Sequence, residues 1–170
     1  VAELTEYLKE KIYKKDRSHF FSFFDFTTAI AIEYFSRKKT DISIMETGLG
    51  GRLDSTNIIN PIVSIITNIS HDHMQYLGEN ILDITKEKAG IIKKDKPVIT
   101  GASGQSADII EKTAKNLNSP VYKLHRDFSC KKTGDQKMSY RGIVKNIEDI
   151  SINLMGDHQF INCAISLCAV

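Results

Sequence analysis

Pro61-Ile-Val-Ser-Ile-Ile-Thr67, followed by Ile81-Leu-Asp-Ile-Thr-Lys-Glu-Lys-Ala-Gly-Ile-Ile-Lys-Lys-Asp-Lys-Pro-Val-Ile-Thr100, decides the fold class. Ile62 to Ile66 is a near-continuous apolar run whose length suits a strand covered on both faces. Ile81, Ile84, Lys88 and Ile91 then fall at helical spacing. Lys96-Pro97 turns the chain into a second strand, Val98 to Thr100. Further on, small residues from Gly101 to Ser106 make a turn, Ala107 to Leu117 reads as a helix and Val121 to Leu124 as a third strand. Strands that alternate with helices predict a parallel sheet covered by helices.

Upstream, Leu4, Leu8, Lys11 and Ile12 open an amphipathic helix that ends near Lys14 to Arg17. Phe23, Phe26, Ile30 and Tyr34 give the aromatic-rich stretch Phe20 to Phe35 helical spacing, with Ser22 or Asp25 as cap. Asp41-Ile-Ser-Ile-Met-Glu46 alternates and reads as a buried strand. Downstream, the character changes from Phe128 to Leu154, where Met138–Val144 and Ile147–Leu154 look like an antiparallel pair. The expectation is an α/β fold: a mostly parallel sheet covered by helices, one domain over 1–170, with a small antiparallel addition near 137–154.

The composition fits a soluble globular domain. Of 170 residues, 41% are hydrophobic and 26% charged, and 23 basic side chains oppose 21 acidic ones for a net charge of +2. That balance argues against disorder. The lysines occur as short pairs with acids nearby, a solvated surface rather than the basic stripe of a nucleic-acid binder. No apolar run approaches the ~18 residues that span a bilayer, and no signal-peptide pattern opens the chain. Cys130, Cys163 and Cys168 are odd in number and form no CxxC, which fits a reduced, cytoplasmic protein without structural zinc. Val1 enters directly into a helical pattern, and Ile161 to Val170 stops without Gly, Pro or a charged last turn. Both ends point to a piece of a longer chain.

Three segments carry chemistry. Glu46-Thr-Gly-Leu-Gly-Gly-Arg52-Leu-Asp54-Ser-Thr-Asn57 follows the first expected strand, where ligands of parallel sheets collect. A carboxylate followed by glycines suits a metal or phosphate site, and a tight strand-to-loop connection explains it as well. Thr67-Asn-Ile-Ser-His71-Asp72-His73 ends the next strand with imidazole and carboxylate groups suited to a divalent metal. Asp72 is placed to hold an imidazole, and the role of His71 stays open. Glu87-Lys88-Ala-Gly carries a lysine whose ammonium cannot ligate a cation, so a surface ion pair is its plainest use. Neither GxGxxG nor GxxxxGK[ST] occurs.

These segments, with Ile66-Thr-Asn-Ile-Ser-His-Asp-His-Met-Gln-Tyr-Leu-Gly78 and Lys86-Glu-Lys-Ala-Gly-Ile91, closely resemble the folylpolyglutamate synthase / dihydrofolate synthase family of the Mur ligase superfamily. Phe23-Phe-Asp-Phe-Thr-Thr-Ala-Ile-Ala31 is similar to the family's aromatic-acid-Thr helix start, with Asp25 where Glu is more usual. Leu154-Met-Gly-Asp-His158-Gln159-Phe-Ile-Asn162 is similar to its Gly-x-His-Gln segment. The order and spacing agree from about residue 20 to the end.

The resemblance implies a Mur-ligase-like central ATP-binding domain that is incomplete. The N-terminal phosphate-binding loop and the C-terminal domain are not among these residues. It also implies an ATP-dependent ligase that joins L-glutamate to dihydropteroate or reduced folates through an acyl phosphate, a monomer when complete, with the isolated piece inactive. Glu46 and His73 match magnesium ligands, and Lys88 matches a lysine carried as a carbamate, an anion able to hold Mg²⁺. Phe24, Asp25, Leu53, Asp54 and Ser55 match the pterin or pteroate pocket, with the ring stacking and Asp54 pairing amino groups. Asn162, with His158 and Gln159, falls where the superfamily contacts adenine. Helix capping, by Asp157 as well, is the plainer use of that last group. Two other functions stay open: a metal-dependent hydrolase on Glu46, His71, Asp72 and His73, and a non-catalytic binding module.

Overall fold

The computed structural model describes residues 2–15, 21–70 and 80–170. They gather into two compact units, Val1–Leu49 with Leu53–Ile59, and Gly50–Arg52 with Asn60–Val170.

The first unit holds α1 (Ala2–Lys15) and α2 (Phe23–Lys38). The expected cap on α2 is present in reciprocal form. Ser22 Oγ accepts from the Asp25 amide at 3.0 Å, and the Asp25 carboxylate accepts from the Ser22 amide at 2.8 Å. The helix ends at Lys39, in left-handed conformation, whose amide reaches the Phe35 and Ser36 carbonyls. The Arg37 guanidinium sits 4.7 Å above the Tyr7 ring of α1.

The strand expected over Asp41–Glu46 does not form. Residues 41–46 join no ladder among the described residues, and Ile42 and Ile44 are 72% and 91% exposed. Alternation marks a segment able to line a sheet face. A strand also needs a hydrogen-bonded neighbour, which local sequence does not supply.

The second unit is built on a parallel sheet of β1 (Ser64–Ile66), β2 (Val98–Thr100) and β3 (Val121–Lys123), in that spatial order. Ser64, Val98 and Val121 share a register, as do Ile66, Thr100 and Lys123. The central strand is buried along its length, and its alternating side chains serve two cores. Val98 packs with Ile66, Ala89, Ile92, Ala102, Ile110 and Ala114. Ile99 packs with Leu124, Phe128, Met138, Tyr140 and Phe160. Coverage on both faces, expected for Ile62–Ile66, therefore belongs to β2. β1 lies at the sheet edge, with Ile65 39% exposed and Ile62 more so.

Two helices cover one face. α3 (Ile81–Ala89) starts at Asn80, whose side-chain oxygen accepts from the Leu82 amide at 2.9 Å. α4 (Gly104–Asn116) begins three residues before the expected Ala107 and absorbs part of the small-residue turn. The buried Thr85 hydroxyl of α3 lies 2.9 Å from Ser106 Oγ of α4.

The other core is closed by an antiparallel sheet of β4 (Ser129–Gly134), β5 (Lys137–Arg141) and β6 (Asn146–Ser151), and by α5 (His158–Ala169). The expected antiparallel pair corresponds to β5 and β6. β4 adds a third strand, paired Ser129 to Arg141 and Cys130 to Tyr140. Burial pushes the Tyr140 phenol up to about 12 and raises the three free thiols. Among the described residues no helix is long and apolar enough to cross a membrane.

Candidate functional site

The glycine-rich loop is held by Asp54 within the first unit. One carboxylate oxygen accepts from the amides of Gly48 and Leu49 at 3.0 and 2.9 Å. The other accepts from the Thr56 amide at 2.9 Å and its hydroxyl at 2.6 Å. Asp54 thereby caps the short 3-10 turn Ser55–Ile58 and fixes the backbone before it. Asp25, thirty residues earlier in the chain, accepts from the Ser55 hydroxyl as well as from Ser22 Oγ at 2.7 Å. The Phe24 ring, 39% exposed, lies against Gly48, where a Cβ would stand 2.6 Å from its Cζ. Phe24, Asp25, Asp54 and Ser55 thus lie close together in the first unit. Leu53 lies in the same segment with its side chain largely exposed. Asp54 meets chain amides where the resemblance assigns it to a ligand.

Both carboxylates are held below their ordinary range. Hydrogen bonds from Ser55 and Ser22 do this for Asp25. For Asp54, burial acts upward and is outweighed by bonds from Thr56, Leu49 and Gly48. A lowered folded-state value contributes stability that is present above the unfolded value and lost as pH falls through the folded one. Asp54→Asn is therefore expected to lose less stability than the parent between pH ~4 and ~2. Parallel urea unfolding at the two pH values checks this, and equal acid losses would contradict it.

In the second unit the last turn of α3 carries Glu87 and Lys88. The ion pair expected of Lys88 goes to its neighbour, since Arg52 Nη2 stands 3.0 Å from Glu87 Oε1. Among the described residues Lys88 itself is half-buried and has no ion pair. Lys86, one helix step before Glu87, pairs with Asp83 at 2.9 Å. Glu46 is exposed and accepts no hydrogen bond among the described residues. His71, Asp72 and His73 lie outside the described residues, and among those described no group of three metal-ligating side chains occurs.

His158, Gln159 and Asn162 lie in the first two turns of α5. Gln159 Nε2 lies 3.1 Å from His158 Nε2, and Asn162 Nδ2 donates to Gln159 Oε1 at 3.3 Å. Asp157 occupies the cap position without capping. Its backbone is already helical, and its carboxylate accepts from Lys132 Nζ at 2.9 Å, so the capping use expected of it is not made.

Residue type alone does not mark Arg52, Glu87 or Thr56 as structural partners in this region. For the first two a signal existed, an Arg directly after Gly51 and an acid three residues before Gly90. It has meaning only once the fold brings the two segments together.

The family model for the Mur ligase middle domain matches residues 13–170. The chain is 37% identical over 149 residues to the folylpolyglutamate synthase of Lacticaseibacillus casei, covering 85% of this chain and 35% of that protein. It is 40% identical over 153 residues to the dihydrofolate synthase/folylpolyglutamate synthase of Bacillus subtilis, covering 86% and 35%. Among solved structures, folylpolyglutamate synthase from Thermotoga maritima superposes with a TM-score of 0.87 at 31% identity, over 97% of this chain and 39% of that one. An FPGS–AMPPCP–folate complex superposes at 0.86 with 34% identity, over 93% and 40%. The chain therefore spans about two-fifths or less of the length of these relatives.

Proposed function

The chain belongs to the Mur ligase middle domain family, and we propose that it is part of an ATP-dependent ligase joining L-glutamate to dihydropteroate or a folylpolyglutamate. The observation that carries this is the close likeness, in fold and sequence, to a folylpolyglutamate synthase complex holding an ATP analogue and folate.

In this reaction a carboxylate oxygen of the pteroate or folate attacks the γ-phosphorus of ATP, and ADP leaves. The glutamate amine then attacks the acyl carbon of the resulting acyl phosphate. A tetrahedral intermediate forms, loses inorganic phosphate and yields the amide. The negative charge that develops calls for fixed donors and cations.

Phe24 supplies a partly exposed ring for stacking on the pterin. Asp25, Leu53, Asp54 and Ser55 complete the pocket, and Asp54 acts on it by fixing the loop backbone through the Gly48 and Leu49 amides. His158, Gln159 and Asn162 offer amide and imidazole groups at the start of α5 for the adenine edge. Glu46, His73 and Lys88, the last as its carbamate, are the proposed ligands of Mg²⁺ and in that sense the catalytic set. The donor chemistry fits: among the described residues, the Glu46 carboxylate has no hydrogen bond and Lys88 has no ion pair. Bound there, Mg²⁺ supplies charge neutralisation for the phosphates. We place the complete enzyme in the cytoplasm as a monomer, and propose that the 170 residues alone do not turn over.

The test is ATP- and Mg²⁺-dependent incorporation of labelled L-glutamate into dihydropteroate or reduced folate by the natural full-length chain. Incorporation is expected. Metal-dependent hydrolysis without ATP would instead favour a hydrolase, and binding without turnover a non-catalytic module.

A further inference from the structure

We propose that the cleft beyond the carboxyl end of β3 is a binding site for a small oxyanion, a phosphate or a carboxylate, held by Arg141 with His125 and Ser129. None of these three groups takes part in the reaction proposed above.

The cleft lies in the second unit and has a volume of about 220 Å³, lined by residues 125–129, Arg141 and Gly142. The carboxyl end of a strand is where ligands of parallel sheets collect. Most of the charge around this cleft is already spent. Asp127 accepts from the Lys123 amide at 2.8 Å and from Arg126 Nε and Nη2 at 2.9 and 2.8 Å. Arg126 also reaches Glu111 at 3.0 Å and donates to the Val121 carbonyl at 2.9 Å. Lys123 Nζ meets the same Glu111 oxygen at 2.7 Å. Lys123 and Arg126 thus balance Glu111 and Asp127 in a closed, neutral network.

Arg141 is left over. Among the described residues its guanidinium has no ion pair and no hydrogen bond. It stands opposite Ser129 in the β4–β5 register and opposite Asn146 in that of β5 and β6, so neither strand neighbour is an acid. Cys130 and Tyr140, the next pair along, pack into the core, which turns Ser129 and Arg141 outward on one face. Directly opposed residues have Cβ atoms ~5 Å apart, so one ligand can meet hydroxyl and guanidinium together.

His125 adds a third donor. Its backbone is left-handed, with φ 67°, a conformation that costs energy for a residue with a Cβ. The His125 amide closes this tight turn on the Phe128 carbonyl at 2.7 Å. The imidazole therefore stands on a fixed turn at the cleft, and it holds no hydrogen bond among the described residues. An uncompensated guanidinium, an imidazole N–H and a hydroxyl fit a ligand that accepts through two or more oxygens. A cation finds no free carboxylate in this lining, since Asp127 is committed.

The experiment labels histidine with ¹³C in the natural full-length chain and follows the His125 imidazole by NMR, its signal assigned through His125→Asn. Inorganic phosphate and acetate are titrated separately at neutral pH and constant ionic strength. A saturable shift of this signal is expected with at least one of them. Response to phosphate alone marks a phosphate site, response to acetate alone a carboxylate site, and response to both a site for either. Arg141→Ala is expected to raise the half-saturating concentration at least about tenfold, and Ser129→Ala a few-fold. Lys94→Ala removes an exposed charge elsewhere in the unit and is expected to leave it unchanged. Circular dichroism checks that each variant is folded. No saturable shift with either anion overturns the proposal, and so does equal binding by the parent and Arg141→Ala.

Discussion

Glu46→Ala and His73→Ala, each made in the natural full-length chain, are expected to lower Mg²⁺-dependent turnover by at least ~100-fold with the fold intact. Each removes one proposed ligand of a hard cation whose task is to offset phosphate charge. Glu46 is well suited to show the effect cleanly. Its carboxylate is exposed and holds no hydrogen bond among the described residues, so its loss leaves no buried group unpaired. The defect is expected to ease partly as Mg²⁺ is raised, because a weakened site fills at higher concentration. Steady-state turnover across a Mg²⁺ series, with circular dichroism as the fold control, measures both. Unchanged turnover in either variant removes that residue from the ligand set.

The largest stability effect is expected from Ile110→Ala, at about 3–4 kcal/mol. Ile110 is fully buried on α4 in the cluster with Ile66, Ala89, Val98 and Ala114, between the helical layer and the central strand. Removing its branched end costs the transfer of that surface and leaves a cavity among side chains fixed by two helices and a sheet. Exposed Lys112 on the same helix is the control, and Lys112→Ala is expected to stay within ~0.5 kcal/mol. Urea unfolding of the three chains gives the comparison. A loss under ~1 kcal/mol at Ile110 would contradict the two-core packing.

Most of the second unit is legible from period alone. Val98–Thr100, α3 and most of α4 lie where apolar spacing puts them, because both helices bury their apolar faces in the core that holds Val98, while Ile99 serves the other core. Spacing fails where a partner decides. Ile42 and Ile44 alternate like strand residues yet join no ladder, whereas Ser129–Gly134, rich in lysine and poor in apolar residues, becomes β4 through its register with β5. The same distinction runs through the site. The family resemblance brings Phe24, Asp25, Asp54 and Ser55 to attention. That Asp25 meets Ser55 across thirty positions, and that Asp54 spends its oxygens on Gly48, Leu49 and Thr56, are products of tertiary contact. Arg52 and Glu87 are further apart still, and nothing in either local segment says that they meet.

The ligase proposed for these residues activates a carboxylate with ATP. Its most direct test is isotope transfer in the full-length chain supplied with ATP, Mg²⁺, L-glutamate and a pteroate or folate labelled with ¹⁸O in the reacting carboxylate. An acyl phosphate requires one carboxylate oxygen to leave with the γ-phosphoryl group. Inorganic phosphate carrying one ¹⁸O for each amide formed is expected, and unlabelled phosphate accompanying amide formation would rule out the acyl phosphate.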